Sequence, residues 1–387
     1  MGIYIHVPFC MRRCRYCAFT STVPKIVPQI PYTQAILREF DLTKARFENK
    51  DLASVYFGGG TPTMLGDDQI QAILHHLIQS LNVPAETTLE ANPEHVTPER
   101  AKRWKNMGFT RVSLGIQSFN DHMLAFLGRK HSGIQAQKAI ETLNQAGFDD
   151  ISADLIYGGL YDDHVTDSQL LSDWKSDLRL IRSLKPSHLS CYELTLEDHT
   201  PLWTLSRRGH RIKPEENIIL EMMDMIPDLT GMQRYEISNY SRDGYYSLHN
   251  MSCWAGLPYL GLGPGSHSLQ ISESGIFRWA NIASVPQWMM SLNQNQVLPD
   301  PLFKEQISTQ MHLAERLMCA ARTLLRWNPA EIADQLHADI SPFMPGIQKA
   351  IQHGLIQQNS DDTLNTTSKG VTLNNRLDEY LFEGAPE

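Results

Sequence analysis

Three cysteines within eight residues, Cys10, Cys14 and Cys17, constrain this chain more than any other feature. They form a C-x3-C-x2-C pattern inside YIHVPFCMRRCRYCAF, the stretch from Tyr4 to Phe19. A β-like run, Ile3 to Val7, leads into them, and Pro8 ends it by removing a backbone donor. Thiolates this close must curl around one centre, because a disulfide would use two and strand the third. Soft sulfur ligands suit an iron–sulfur cluster, or zinc if a fourth ligand such as His6 is near. If the centre is a four-iron cluster, three cysteines leave one iron open to an outside ligand.

The rest of the composition narrows the setting. A chain of 387 residues, 42% hydrophobic and 20% charged, has the make-up of a soluble globular protein with more than one domain. A net charge of -9 gives no support to a nucleic-acid partner. No apolar run approaches the length of a membrane span, and the cysteines follow Met1 too closely for a signal peptide. Six cysteines are too few for a disulfide framework, so a reducing cytoplasm is expected.

Taken in order, the chain alternates strand-like and helix-like segments. Helical spacing covers Tyr32 to Phe47, and Leu52 to Phe57 reads as a buried strand ending in Gly58-Gly59-Gly60-Thr61. Asp67 or Asp68 is placed to cap a helix running to about Leu81. Strands are expected at Thr87–Ala91, Arg111–Ile116, Ile151–Ile156 and His188–Leu194, with helices between them. This pattern implies a parallel sheet with right-handed crossovers, in an α/β fold of partial or complete TIM-like (β/α) barrel type. Further on, Glu215–Leu229 reads as a helix, Gln233–Tyr240 as a strand, and Leu260–His267 as too glycine-rich for a regular element. Residues 1–298 are read as the core barrel and its extension. Residues 299–387 are read as a mainly helical, winged-helix-like domain with a wing at Leu355–Val371.

Glycines at a strand end let a ligand's polar groups approach the backbone, although a tight turn would also use them. Glu90, Gln117 and Asp154 each fall at or near the end of a different strand. In a barrel those ends share one mouth, so three polar residues beside a glycine loop and a cysteine triad point to a site.

These motifs, with GRKHS (Gly128 to Ser132), DLIYG (Asp154 to Gly158), YEISNY and GLGPGSHS, resemble radical S-adenosylmethionine (SAM) enzymes, and more narrowly the oxygen-independent coproporphyrinogen III oxidase group. The resemblance extends to LNTTSKGVTLNNRLDEYLF near the C-terminus. It implies a [4Fe–4S] cluster on Cys10, Cys14 and Cys17, with SAM chelating the fourth iron. By matching positions it implies SAM contacts from Tyr4, Tyr16, Gly59, Gly60, Thr61, Glu90, Gln117, Arg129 and Asp154. It also implies reductive cleavage of the sulfonium to methionine and a 5′-deoxyadenosyl radical.

Within that group the oxidases carry a further cysteine two residues after the third. Here that position is Phe19, which resembles the heme chaperone branch, HemW. That branch carries an H-N-x-x-Y-W motif associated with heme, and this chain reads His249-Asn250-Met251-Ser252-Cys253-Trp254. The resemblance therefore implies heme as ligand, His249 as a heme contact, and a heme-accepting protein as partner. A coproporphyrinogen oxidase, or another radical tetrapyrrole-modifying enzyme, is the alternative expectation. Cys191 and Cys319 sit in apolar contexts and read as buried hydrophobes.

Overall fold

A computed structural model describes residues 1–47, 51–162 and 164–386. Six strands pair in parallel in chain order: β1 (Gly2–Val7), β2 (Ser54–Gly59), β3 (Glu86–Ala91), β4 (Arg111–Gln117), β5 (Asp150–Tyr157) and β6 (His188–Glu193). The crossovers are made by α1 (Gln29–Thr43), α2 (Asp67–Ser80), α3 (Pro98–Met107), the pair α4 (Asp121–Leu127) and α5 (Gly133–Gln145), and α6 (Asp167–Leu184).

Period-two alternation decides which face of each strand does what. Ile3, Ile5, Val55, Phe57, Leu89, Val112, Leu114, Ala153, Leu155 and Leu189 are fully buried in the apolar core. The intervening positions are polar or small: Tyr4, His6, Tyr56, Gly58, Thr88, Glu90, Ser113, Gly115, Ser152, Asp154 and Ser190. An apolar shell around a polar inner face suits a lumen that receives a ligand better than one filled by side chains.

Beyond β6 come α7 (Pro201–Arg207), α8 (Glu216–Thr230), β7 (Gln233–Arg234), β8 (Asn239–Ser241), α9 (Leu248–Trp254), β9 (Tyr259–Leu262), β10 (His267–Ser272), β11 (Gly275–Asn281), α10 (Val285–Asn293) and β12 (Pro299–Ile307). Strand β8 joins β6 antiparallel, while β9 joins β1 in parallel and is followed outward by β10, β11 and β12. The result is one 12-stranded sheet whose ends, among the described residues, do not pair. It is a partial barrel, as the alternating pattern implies.

A second apolar core follows, built by α11 (Thr309–Arg322), α12 (Pro329–Leu336), α13 (Met344–Gln352), a hairpin of β13 (Ile356–Gln358) and β14 (Leu364–Thr366), α14 (Ser368–Thr372) and α15 (Asn374–Phe382). Leu313, Leu317, Phe343, Ile347, Leu377 and Leu381 form its centre.

Several local expectations are corrected. Gln233–Tyr240 is a tight hairpin of β7 and β8, in which Tyr235 N–H bonds Asn239 O at 3.1 Å, not one strand. Leu260 to Leu262 is strand despite its glycines, because Gly261 must pass so close to His267 that no Cβ fits. Pro299–Ile307, read as the start of the terminal unit, is the edge strand of the large sheet. Asp67 caps nothing; its carboxylate accepts from Arg100 (2.8 Å) and from Trp104 Nε1 (3.0 Å), and Gly66 precedes the helix.

Gly133 opens α5 behind the capping box of Ser132 and Gln135, and its N–H donates to Asp121 at 2.8 Å. A Cβ there would run into the carbonyl of Phe119, just past the end of β4. Gly133→Ala is expected to cost about 2–3 kcal/mol in urea denaturation by overpacking. Gly147, with positive φ but open space, should cost only about 1 kcal/mol when changed to alanine. Equal losses in the two variants would contradict this packing.

Candidate functional site

Pro8 turns the chain out of β1, and the cysteine loop is then held by backbone bonds at both ends. Cys10 N–H donates to Thr22 O (2.9 Å), Thr22 N–H to Pro8 O (2.7 Å), and Arg15 N–H to Leu127 O at the end of α4 (3.0 Å). All three cysteines are free and partly exposed. Each sulfur has its own donor. Thr61 Oγ1 reaches Cys10 Sγ at 3.7 Å, Arg129 Nη1 reaches Cys14 Sγ at 3.5 Å, and the Phe19 N–H bonds Cys17. Burial pushes the Cys10 and Cys17 thiols up, so their ionisation awaits a positive centre.

This donor set fits an iron–sulfur cluster, whose thiolates accept such bonds. It does not fit zinc with His6. The His6 ring is spent on Tyr4 Oη (3.1 Å) and Thr20 O (2.8 Å).

Gly60 lies directly beneath the loop, where a Cβ would come within 3.0 Å of Cys10 Sγ and 2.9 Å of the Pro8 carbonyl carbon. Gly59 takes φ 110°, and a Cβ on it would sit 2.6 Å from the His6 ring. The turn at this strand end therefore requires glycine, and its N–H groups are used within the fold, Gly59 on Glu90 (3.1 Å) and Gly60 on Val7 O (2.8 Å).

Inside the lumen, Glu90 accepts from Tyr56 Oη (2.8 Å) and from Gly59 N–H (3.1 Å). Burial, reinforced by the nearby Asp154 carboxylate, raises Glu90 to about 7. Asp154 is also raised by burial, and it accepts from Ser113 Oγ at 3.1 Å and Ser152 Oγ at 3.3 Å. The Arg111 guanidinium, paired with Asp150, also acts on Asp154, so the uncompensated negative charge of the lumen is chiefly that of Glu90, which suits a cationic guest. Gln117 stands at a bulge where β4 slips against β5, with φ 72° although it is not glycine. Holding a glutamine in this left-handed region costs about 1–3 kcal/mol.

Arg129 ties these parts together, donating to Asn92 Oδ1 (2.6 Å), Gly115 O (2.6 Å) and Cys14 Sγ. Tyr16 is half-buried beside it, and burial raises its phenol above the ordinary range. Sequence reasoning missed Asn92, which also donates to Thr61 (3.4 Å), and the serine ring around Asp154. The period-two placement of Ser113, Ser152 and Ser190 carried that signal.

His249 is not brought to this site. The residue is 7% exposed; its ring bonds Ser54 Oγ at 2.9 Å and stacks on Tyr56 at 4.9 Å and Tyr4 at 6.3 Å, below the strand ends that carry Glu90 and Gln117. Glu86 caps the start of α9 by accepting from Leu248 N–H (2.7 Å) and His249 N–H (3.1 Å). The motif's helix thus closes the lower end of the lumen, with the His249 imidazole turned inward against Tyr4 and Tyr56.

Burial pushes His249 down to about 4. The unfolded chain therefore takes the proton first, and stability is lost as pH falls from about 6.5 to about 4. Between about pH 7 and pH 4.5 the chain should lose about 2–3 kcal/mol more than its His249→Gln variant in denaturant titrations. Identical pH profiles would contradict a neutral buried imidazole.

Comparisons with known proteins give the family and the fold. Residues 4–168 match the radical SAM superfamily. The chain is 30% identical to a heme chaperone HemW of Buchnera aphidicola, over 99% of this chain and 98% of that protein. It is 32% identical to heme chaperone HemW of Mycobacterium tuberculosis, over 82% of this chain and 80% of the relative. Among solved structures, coproporphyrinogen III oxidase (HemN) from Escherichia coli superposes with a TM-score of 0.80 over 98% of this chain and 89% of that one. At 19% identity, this shows a shared fold.

Proposed function

The chain belongs to the heme chaperone HemW family within the radical SAM superfamily, and on that footing we propose that it binds a [4Fe–4S] cluster, SAM and heme, and passes heme to a heme-requiring protein. In this reading Cys10, Cys14 and Cys17 hold the cluster. A cluster held by three thiolates supplies an open iron for the amino and carboxylate groups of SAM, and an electron for its sulfonium.

The chain's own residues do the positioning. Gly59, Gly60 and Thr61 present backbone and hydroxyl groups to the methionine end of the cofactor. Glu90 and Asp154 supply negative charge for its cationic centres. Gln117, Arg129, Tyr4 and Tyr16 fix its orientation beneath the cysteine loop. Thr61 and Arg129, by donating to the sulfurs, raise the potential of the cluster. We take the sheet up to Ile307 as the cofactor-binding unit and the second core as a unit of its own.

One observation carries the chaperone reading over the oxidase. Where the oxidases carry a further cysteine, Phe19 is 66% exposed and offers only its backbone N–H to Cys17. No helix of the described residues is long and apolar enough to cross a membrane. Together with six free thiols, this favours work in the cytoplasm.

Anaerobic incubation with reductant, SAM and coproporphyrinogen III tests the choice. The chain is expected to form no protoporphyrinogen, and formation of that product would reverse the choice in favour of the oxidase.

A further inference from the structure

A row of buried hydrogen bonds leads away from the lumen behind Asp154. Ser152 Oγ lies 3.3 Å from Asp154 Oδ1 and 2.8 Å from His188 Nδ1, and His188 Nε2 lies 2.7 Å from Tyr235 Oη. Ser152, His188 and Tyr235 are each at most 1% exposed, so they answer to one another and not to bulk solvent. The sheet sets the order. His188 opens β6 directly across from Ser152 in β5, and Tyr235 reaches over from the turn between β7 and β8, where β8 pairs with β6. Neither His188 nor Tyr235 has a part in the site described above, although Tyr235 begins the YEISNY segment.

Each donor in the row fixes the next. Among the described residues Tyr235 Oη has two hydrogen-bond partners, the Ser247 N–H at 3.3 Å and His188 Nε2. The first can only donate, so the phenol proton goes to Nε2, and that nitrogen must be an acceptor. The imidazole is then neutral, with its one proton on Nδ1. Burial agrees, since with the Arg111 guanidinium nearby it holds His188 well below its ordinary value. The Nδ1 proton is donated to Ser152 Oγ, which leaves the serine hydroxyl to donate in turn. Its nearest remaining acceptor is the charged Asp154 Oδ1, while Ser190 Oγ is neutral and further away at 3.5 Å.

Every proton in the row therefore points at the carboxylate. Ser113 donates to Asp154 from the other side at 3.1 Å. Hydroxyls that donate to a carboxylate favour its ionised form, against the burial that favours the protonated one.

We propose that His188 is a positioning residue for the cofactor: by holding the Ser152 hydroxyl as a donor to Asp154, it keeps that carboxylate an acceptor for the donor groups of SAM. The inference rests on the reading of Asp154 as a SAM contact.

Nitrogen-15 NMR of the anaerobically reconstituted protein reads the ring directly, with the His188 signals identified by their absence in His188→Asn. The neutral Nδ1–H tautomer is expected. Tyr235→Phe removes the proton that holds Nε2 as an acceptor, so the ring should shift toward Nε2–H and turn the Ser152 hydroxyl away from Asp154. SAM should then bind about tenfold more weakly, the scale of one hydrogen bond to a charged group, with cluster iron unchanged. A protonated ring or an Nε2–H tautomer in the parent overturns the inference, and this measurement stands even if the variant does not fold. A Tyr235→Phe protein that binds SAM as the parent does, while Asp154→Asn binds it more weakly, overturns it too. Loss of iron together with SAM would make the effect structural and overturn it as well. If Asp154→Asn leaves SAM binding unchanged, the reading of Asp154 itself fails, and this inference with it.

Discussion

Replacing Cys14 with serine is expected to leave a folded chain with almost no iron. Cys14 lies on a half-exposed loop whose backbone bonds come from Cys10, Thr22 and Arg15, so the fold does not depend on its side chain. Its sulfur receives Arg129, the group that also orders Asn92 and Gly115. After anaerobic reconstitution, iron and sulfide should fall from roughly four per chain to well below one, with the broad visible absorption lost. Cys191, buried at 3% exposure in β6, is the control, and its serine variant should keep the full iron content. A Cys14→Ser protein that retains the full complement of iron would contradict a three-thiolate cluster.

The second large effect belongs to Glu90. Changing it to glutamine keeps the size, and with its one carbonyl oxygen on the Gly59 N–H its amide can donate to Tyr56 Oη in place of accepting, but it removes the charge that faces the guest. Uncoupling a buried charge pair costs about 3 kcal/mol, so SAM should bind about a hundredfold more weakly while the cluster stays intact. The pH dependence identifies the cause. Glu90 ionises only near 7, chiefly because burial penalises its charge, and a cationic guest binds the ionised form. Affinity should therefore rise about tenfold between about pH 6 and pH 8, with protons released on binding at the acid end. In Glu90→Gln the slope should vanish. A variant with the parent's affinity and slope would exclude Glu90 from the site.

The parts of the fold that the residues revealed were those set by period and punctuation. Each parallel strand lies within a residue or two of its expected span, because apolar runs such as Leu52–Phe57 are bounded by helix caps and glycines. The residues proposed for the site stand at strand ends for the same reason. Glu90 and Asp154 come close enough to act on one another, and Gln117 stands beside Gly115 at the end of the strand between theirs, because parallel strands place their C-terminal ends together.

What could not be read depends on long-range partners. Asp67 looks like a cap until Arg100 and Trp104 take its carboxylate from another helix. Pro299–Ile307 shows little alternation because it is an edge strand, exposed along most of its length and held by β11. His249 carries the motif's chemistry in the sequence. Its depth depends on Glu86, 163 residues away, which draws the start of α9 into the lumen floor.

Heme itself gives the most direct measurement. Protein reconstituted with cluster, SAM and one equivalent of heme is mixed anaerobically with a purified heme-free respiratory cytochrome, and the acceptor's spectrum and activity are followed. Heme should leave this chain and restore the acceptor faster than free hemin at the same concentration does. A chain that binds no heme, or one that keeps it while the acceptor recovers no faster than with free hemin, would contradict a heme chaperone.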